Sequence, residues 1–244
     1  MTSREFLDSV LALRPRIAVF DCDGTLWAPD AGERFLRWEI RERLIADDVA
    51  RWVERRYAEY LEGKVDEDTM CGEMVTIHAG LPVSTVEQAA ARFFSEQVES
   101  KIFPSMRELV QRLLEQGTEV WTVSSSNEWI ILEGMLRFGI RGDHVLAASV
   151  ETENGCATDR LVRVPSGPGK RDAIEKHIGS TVDAAFGNSI WDREMLMMGR
   201  QAFAINPNRD LQQIARERGW TVFWPDRQNA IRPEGIERKA AENN

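Results

Sequence analysis

The sequence predicts an α/β fold: a Rossmann-like, doubly wound, mostly parallel sheet, interrupted after its first strand by an all-helical insertion. Three observations carry this. The short run Ile17-Ala18-Val19-Phe20 is apolar on both parities, as a strand buried on both faces requires. From position 102 onward, strand-like runs alternate with amphipathic helical patterns, which favours parallel pairing through helical crossovers. Between positions 27 and 101 no strand signal occurs and helical periodicity persists.

Within the insertion, Leu36, Ile40 and Leu44 form one apolar stripe, and Val49, Trp52, Val53, Tyr57, Tyr60 and Leu61 a second. Met70, Met74, Ile77, His78 and Leu81 predict a third helix, ended by Gly80 and Pro82. Ser84 with Glu87 predicts a capping box opening a fourth, with Val86, Ala90, Phe93 and Phe94 facing inward. Beyond it, Pro104 and Ser105 introduce a helix with Met106, Leu109, Val110 and Leu113 on one face, closed by Gly117. A buried strand is predicted over 119–123, followed by the polar cluster Ser124-Ser125-Ser126-Asn127 and a helix through Phe138. The strand over 145–150 meets a turn at Glu153-Asn154-Gly155, with 161–164 as its hairpin partner. A helix after Gly169 precedes strands over 182–186, 202–205 and 221–223. The division that follows is a discontinuous core (1–27 and 102–225), a helical cap (28–101) and a poorly ordered polar tail (226–244).

At 244 residues the chain holds one or two domains, and its 43% hydrophobic and 29% charged content is that of a soluble globular protein. A formal charge of -9 argues against nucleic acid or an anionic membrane as partner, and it requires any phosphate site to be locally positive or metal-loaded. Arg4, Glu5 and Asp8 interrupt the start of the chain, which lacks a signal peptide's apolar core, and no apolar run has the length of a membrane span. Cys22, Cys71 and Cys156 are odd in number and without metal-like spacing, so they are expected to be reduced thiols of a cytoplasmic monomer or homodimer.

The apolar run ends on Asp21-Cys22-Asp23-Gly24. Alternate residues of a strand share a face, so Asp21 and Asp23 project together near its C-terminal end, where open parallel sheets keep their ligands. A turn in which the two carboxylates cap the next element is the other reading. Asp21-Cys22-Asp23-Gly24-Thr25 resembles the nucleophile motif of the haloacid dehalogenase superfamily, whose members are mostly phosphatases. Three further pieces occur in that family's order, each after a predicted strand. Ser124 matches the second motif, Lys170 in Gly167-Pro168-Gly169-Lys170-Arg171 the third, and Gly187-Asn188-Ser189-Ile190-Trp191-Asp192 the acidic fourth, with Asn188 where an aspartate is usual. The phrases Val123-Ser124-Ser125-Ser126 and Gly187-Asn188-Ser189, with a helical insertion after the first motif, resemble the phosphoserine-phosphatase-like branch.

The resemblance implies magnesium-dependent hydrolysis of a small phosphomonoester. Asp21 attacks phosphorus to give an aspartyl-phosphate, and Asp23 acts as general acid and base. Ser124, Ser125 and Lys170 hold the phosphate, while Asp21, the backbone carbonyl of Asp23, Asn188 and Asp192 hold Mg2+. An amide in place of a carboxylate predicts lowered metal affinity. The entry to the cap carries Asp30, Glu33 and Trp38; the first two are alternative partners for a substrate's positive nitrogen, with Glu33 preferred, and Trp38 is a candidate aromatic face. Phosphoserine, phosphoethanolamine and phosphocholine fit that description. The competing readings are a metal-independent haloacid dehalogenase, opposed by the acidic Asp23, and a non-catalytic binding protein of the same fold, supported only by Asn188.

Overall fold

β1 sits at the centre of the sheet because all four of its residues are apolar and buried. The computed structural model describes residues 1–179 and 181–225; the expected polar tail over 226–244 lies outside the described residues. In chain order the elements are α1 (Ser3–Leu11), β1 (Ile17–Phe20), α2 (Ala31–Arg41), α3 (Asp47–Leu61), α4 (Glu67–Thr76), α5 (Val83–Phe93), α6 (Pro104–Glu115), β2 (Glu119–Asn127), α7 (Glu128–Leu136), β3 (Val145–Glu153), β4 (Cys156–Arg163), α8 (Pro168–His177), β5 (Val182–Gly187), α9 (Arg193–Met198), β6 (Gly199–Ile205), α10 (Arg209–Arg218) and β7 (Thr221–Phe223). The sheet has the order β4-β3-β2-β1-β5-β6-β7, parallel throughout except for the β3–β4 hairpin.

Alternation divides β1 between two apolar layers. Ala18 and Phe20 join Val120 and Phe186 in the layer covered by α1, α6 and α7. Ile17 and Val19 join Trp121 and Val123 in the layer covered by α8, α9 and α10. Helices on both faces make the sheet doubly wound, as predicted.

Helices α2 to α5 form the predicted helical insertion. Leu36, Val53, Met70 and Ile77 pack into a cluster of their own. Phe35, Trp38, Phe93 and Phe94 continue into the first layer of the core. Inside the insertion, His78 Nε2 meets Glu39 Oε2 at 2.9 Å and its Nδ1 meets the Val75 carbonyl at 3.0 Å, tying the end of α4 to α2 with both side chains buried. Besides this packing, backbone hydrogen bonds join the insertion to the core at two places among the described residues. The outgoing and returning chains run side by side, with Ala28 N donating to the Lys101 carbonyl and Phe103 N to that of Leu26. At the far end, the 80–83 segment pairs with the β3–β4 hairpin through Gly80 N to Ala157 O and Val83 N to Gly155 O. Helix α4 consequently lies over β2, β3 and β4.

Four local details depart from the sequence reading. The N-terminal segment folds as α1, opened by a capping box in which Thr2 accepts from Glu5 N and Glu5 accepts from Thr2 N. The Ser84–Glu87 box does not form: Pro82 already fixes the N-cap backbone, and α5 starts at Val83 without a side-chain cap. β2 continues through the polar cluster to Asn127, with a register shift against β3 between Val123 and Asn127. β4 starts earlier than position 161, because Asn154 and Gly155 both take positive φ (51° and 79°) and close a tight hairpin at once.

Candidate active site

Asp21 follows the last residue of β1, and its backbone N–H continues the ladder by donating to Phe186 O at 2.8 Å. Its carboxylate is held on both sides. Lys170 Nζ donates to Oδ1 and Thr25 Oγ1 to Oδ2, each at 2.8 Å. Burial, together with the neighbouring Asp192 charge, pushes the Asp21 carboxyl up to about 6, against the pull of Lys170 and Thr25. The group is ionised through most of the range above neutral pH.

Lys170 comes from the first turn of α8, after the Gly167-Pro168 turn, and is 1% exposed. Its three ammonium protons go to Asp21 Oδ1 (2.8 Å), Val123 O (2.8 Å) and Asp192 Oδ1 (2.6 Å). Burial opposes its charge, but Asp192 and Asp21 outweigh burial and raise its pKa. The other oxygen of Asp192 accepts from the backbone N–H groups of Asn188 (2.8 Å) and Ser189 (2.9 Å). Asp192 therefore shapes the loop after β5 and anchors Lys170.

Asp23 has different surroundings. Trp27 Nε1 (2.6 Å) and Ala31 N (2.9 Å) both donate to Oδ1, and Ser126 Oγ donates to Oδ2 at 2.6 Å. Burial and then the Asp30 charge raise its carboxyl to about 7, although the hydrogen bonds from Ser126 and Ala31 oppose the rise. The two carboxylates, two residues apart, thus have different surroundings: an ammonium and a hydroxyl hold Asp21, while the donors described for Asp23 are all uncharged.

Gly24 turns the chain between them with φ +76°, and the Asn188 side chain lies directly on it. A Cβ at position 24 would stand 1.8 Å from Asn188 Nδ2, so only glycine fits. Asn188 is thereby placed beside the backbone of the first motif. Among the described residues no three His, Cys, Asp or Glu side chains converge as a metal site. The residues expected to hold Mg2+, namely Asp21, Asp23 through its carbonyl, Asn188 and Asp192, nevertheless stand on segments that meet at one sheet edge and carry the hard oxygen atoms that Mg2+ takes, with waters completing its shell.

Ser124 is buried, and its Oγ accepts Ser126 N at 3.1 Å, so the β2 irregularity brings all three serines round the strand end. Ser125 is half-buried beside the Cys71 thiol of α4. The cap residues separate into two groups. Asp30 caps α2, accepting Glu33 N at 2.9 Å, and lies close enough to raise Asp23. Glu67 and Asp68 of α4 surround Cys71 together with Asp30, and Asp68 also approaches Ser166 in the loop leading to Lys170. Glu33 is instead paired with Arg37 at 2.8 Å along an outer groove lined by Arg34, Arg41 and Gln97. Trp38 is buried at 3% exposure against Phe35 and Phe93, with its indole N–H on Glu96. The structure thus brings together Asp21, Asp23, Ser124, Ser125, Lys170, Asn188, Asp192 and Asp30, and sets Glu33 and Trp38 elsewhere. Thr25, Trp27, Ser126, Glu67 and Asp68 complete the neighbourhood and were not singled out as site residues from sequence; the threonine of the first motif was the one available signal.

A carboxylate held by an ammonium and a hydroxyl, a second carboxyl held by uncharged donors and a buried ammonium between two acids thus meet at the sheet's C-terminal edge. The chain matches the haloacid dehalogenase-like hydrolase family over residues 18–197 and belongs to it. It is 27% identical over 218 residues to a histidinol-phosphatase of Neisseria meningitidis serogroup C, covering 85% of this chain and 97% of that protein. It is 28% identical over 215 residues to the phosphoserine phosphatase SerB1 of Mycobacterium tuberculosis, covering 84% of this chain and 69% of that one. Its fold is similar to a Bordetella pertussis protein of unknown function (TM-score 0.76, 20% identity, 85% of this chain and 97% of that one). It is also similar to a substrate-bound phosphoserine phosphatase (TM-score 0.56, 19% identity, 81% and 89%). The chain is a phosphoric monoester hydrolase of the phosphoserine-phosphatase-like branch. No helix of the described residues is long and apolar enough to cross a membrane.

Proposed function

We propose that the protein hydrolyses a small phosphomonoester bearing a positive nitrogen, through an aspartyl-phosphate on Asp21 and with Mg2+ bound. The observation that carries this is the pairing of Asp21, clamped by the Lys170 ammonium and the Thr25 hydroxyl, with an Asp23 held by uncharged donors, where burial raises the carboxyl and favours its protonated form. Asp21, oriented by Thr25 and Lys170, attacks phosphorus; the bond to the leaving oxygen breaks, and Asp23 delivers its proton there. Asp23, now a carboxylate, takes a proton from the water that attacks the acyl phosphate, and Asp21 is released with inorganic phosphate. Ser124 keeps its own hydroxyl proton for a phosphoryl oxygen while accepting Ser126 N. Asp21, the Asp23 carbonyl, Asn188 and Asp192 would hold Mg2+, which would supply positive charge to the transferring group.

The substrate class rests on the carboxylates at the mouth. Asp30, Glu67 and Asp68 give it a negative potential, and α2 to α5 act as the cap that presents them. An ammonium next to the phosphate ester would be attracted there, which suits phosphoserine and histidinol phosphate, the substrates in the names of two relatives. Three free cysteines fit a reducing cytoplasm. Phosphate release from phosphoserine, histidinol phosphate, phosphoethanolamine and phosphocholine, compared with sugar phosphates and nucleotides, tests the reading. Faster turnover of sugar phosphates removes the amine specificity, and absence of release from all of them with magnesium present removes the activity.

Asn188→Asp should lower the magnesium concentration giving half-maximal activity, because it adds a charge beside Asp21. A titration unchanged by the substitution would place Asn188 outside the metal's coordination shell.

A further inference from the structure

Trp27 stands where the chain leaves the core for the helical segment. Gly24 N donates to its carbonyl at 2.8 Å, and its backbone bridges to Ile102 on the returning chain. Its ring is fully buried, edge-on to Phe94 at 5.3 Å in the π-helical turn (Phe94–Val98) that ends α5, and tilted against Phe138 at 6.3 Å. Helix α7 comes so near that a Cβ at Gly134 would meet Trp27 Cη2 at 2.7 Å. The ring has no room to rotate. Its one polar atom is directed at Asp23 Oδ1, at 2.6 Å.

We propose that Trp27 is a positioning residue for Asp23: its clamped indole fixes the carboxyl so that Oδ2 faces the leaving oxygen of the substrate. This rests on the reading of Asp23 as the acid. The argument is a count of partners. Oδ1 accepts two N–H donors, from Trp27 and Ala31, and neither donor can take up a proton. Among the described residues Oδ2 has only the Ser126 hydroxyl, which can either donate or accept and so tolerates both protonation states of the acid. Transfer through Oδ2 therefore needs Oδ1 to be held, and the clamped indole is the side chain that holds it, beside the Ala31 backbone N–H. Ser126 is itself kept in place from behind: a Cβ at Gly32 would stand 2.8 Å from its Oγ.

The test compares kcat/KM for phenyl phosphate and 4-nitrophenyl phosphate, which have the same shape at the ester but differ in how much their leaving groups need a proton. This constant covers binding and attack on Asp21 without the later hydrolysis, and the ratio of the two values does not depend on how much enzyme is folded. In Trp27→Phe, which keeps an aromatic ring and loses the N–H, phenyl phosphate should lose about tenfold more than 4-nitrophenyl phosphate. Gly134→Ala retains the indole and presses on its far edge, and should move the ratio in the same direction; it carries the test alone if the phenylalanine variant does not fold. A purely structural role lowers both constants equally. A ratio within about twofold of wild type in Trp27→Phe, or in Gly134→Ala where only that variant folds, overturns the assignment while wild-type hydrolysis of both esters leaves the activity standing. Failure of the wild type to release phosphate from either ester, with magnesium present, overturns the activity and this assignment together.

Discussion

Asp21→Asn is expected to fold as well as the wild type and to release phosphate at less than about one-thousandth of its rate, because the amide has no anionic oxygen with which to attack phosphorus. The shape of the site is kept: the Asn oxygen can still accept from Lys170, and the Thr25 hydroxyl can turn to accept from the amide N–H. Stability should not fall and should rise above neutral pH. The Asp21 carboxyl is pushed up to about 6 by burial and by Asp192, so ionising it in the folded protein costs more than ionising it in the unfolded chain. A group with a raised folded pKa takes up protons on folding, and the penalty grows as pH rises from the unfolded value of about 3.9 through about 6. A neutral amide removes that penalty. A melting temperature equal to or above wild type at pH 8, with phosphate release lost, is the expected pair of results. Retained turnover would move the nucleophile elsewhere, and a large drop in melting temperature would mean that the lost activity reports unfolding.

The framework of this site is legible in the sequence because its pieces are local. An apolar run that stops at Asp21, a serine directly after Val123, a lysine in the turn entering a helix and an acid in the turn after Phe186 each announce a strand end. A parallel sheet then has no choice but to bring those ends to one edge. What stayed hidden is whatever depends on a meeting between distant segments or on a local irregularity. Ser126 reaches Asp23 from 103 positions away, and only because β2 runs past its expected end through an irregular stretch. Trp27 reads as one of the aromatics at the entry to the insertion, and the polar use of its indole shows only when the ring is seen to be clamped. Glu33 illustrates the opposite failure. Its place at a helix start near the catalytic strand is visible, as is its i,i+4 spacing to Arg37, but the rotation of α2 that turns the pair toward a groove lined by Arg34, Arg41 and Gln97 is not. The carboxylates of α4, thirty and more positions further on, lie instead around Cys71, beside Ser125 and Asp30, on a helix that packs over β2, β3 and β4.

Lys170→Met is expected to be the most destabilising single change at the site and to remove activity as well. The ammonium is the only cation between Asp21 and Asp192 among the bonds described for the pair, at 2.8 and 2.6 Å, and all three groups are buried. Methionine fills a similar volume but leaves two carboxylates facing each other and the Val123 carbonyl without its donor. Removing one partner from a buried ionic cluster costs about 3–5 kcal/mol, which for a chain of this size lowers the melting temperature by on the order of 10 °C. The pH dependence has a definite sign. Lys170 now holds the Asp21 pKa down; without it, burial and Asp192 drive that pKa above about 6. The variant then takes up a proton on folding, so its deficit relative to wild type shrinks toward pH 5, where Asp21 can be neutral, and widens toward pH 8. Melting curves recorded with a chelator at both pH values give the answer. A deficit independent of pH would mean that the lysine contributes packing alone, and a deficit larger at pH 5 would contradict the charge arrangement described for the site.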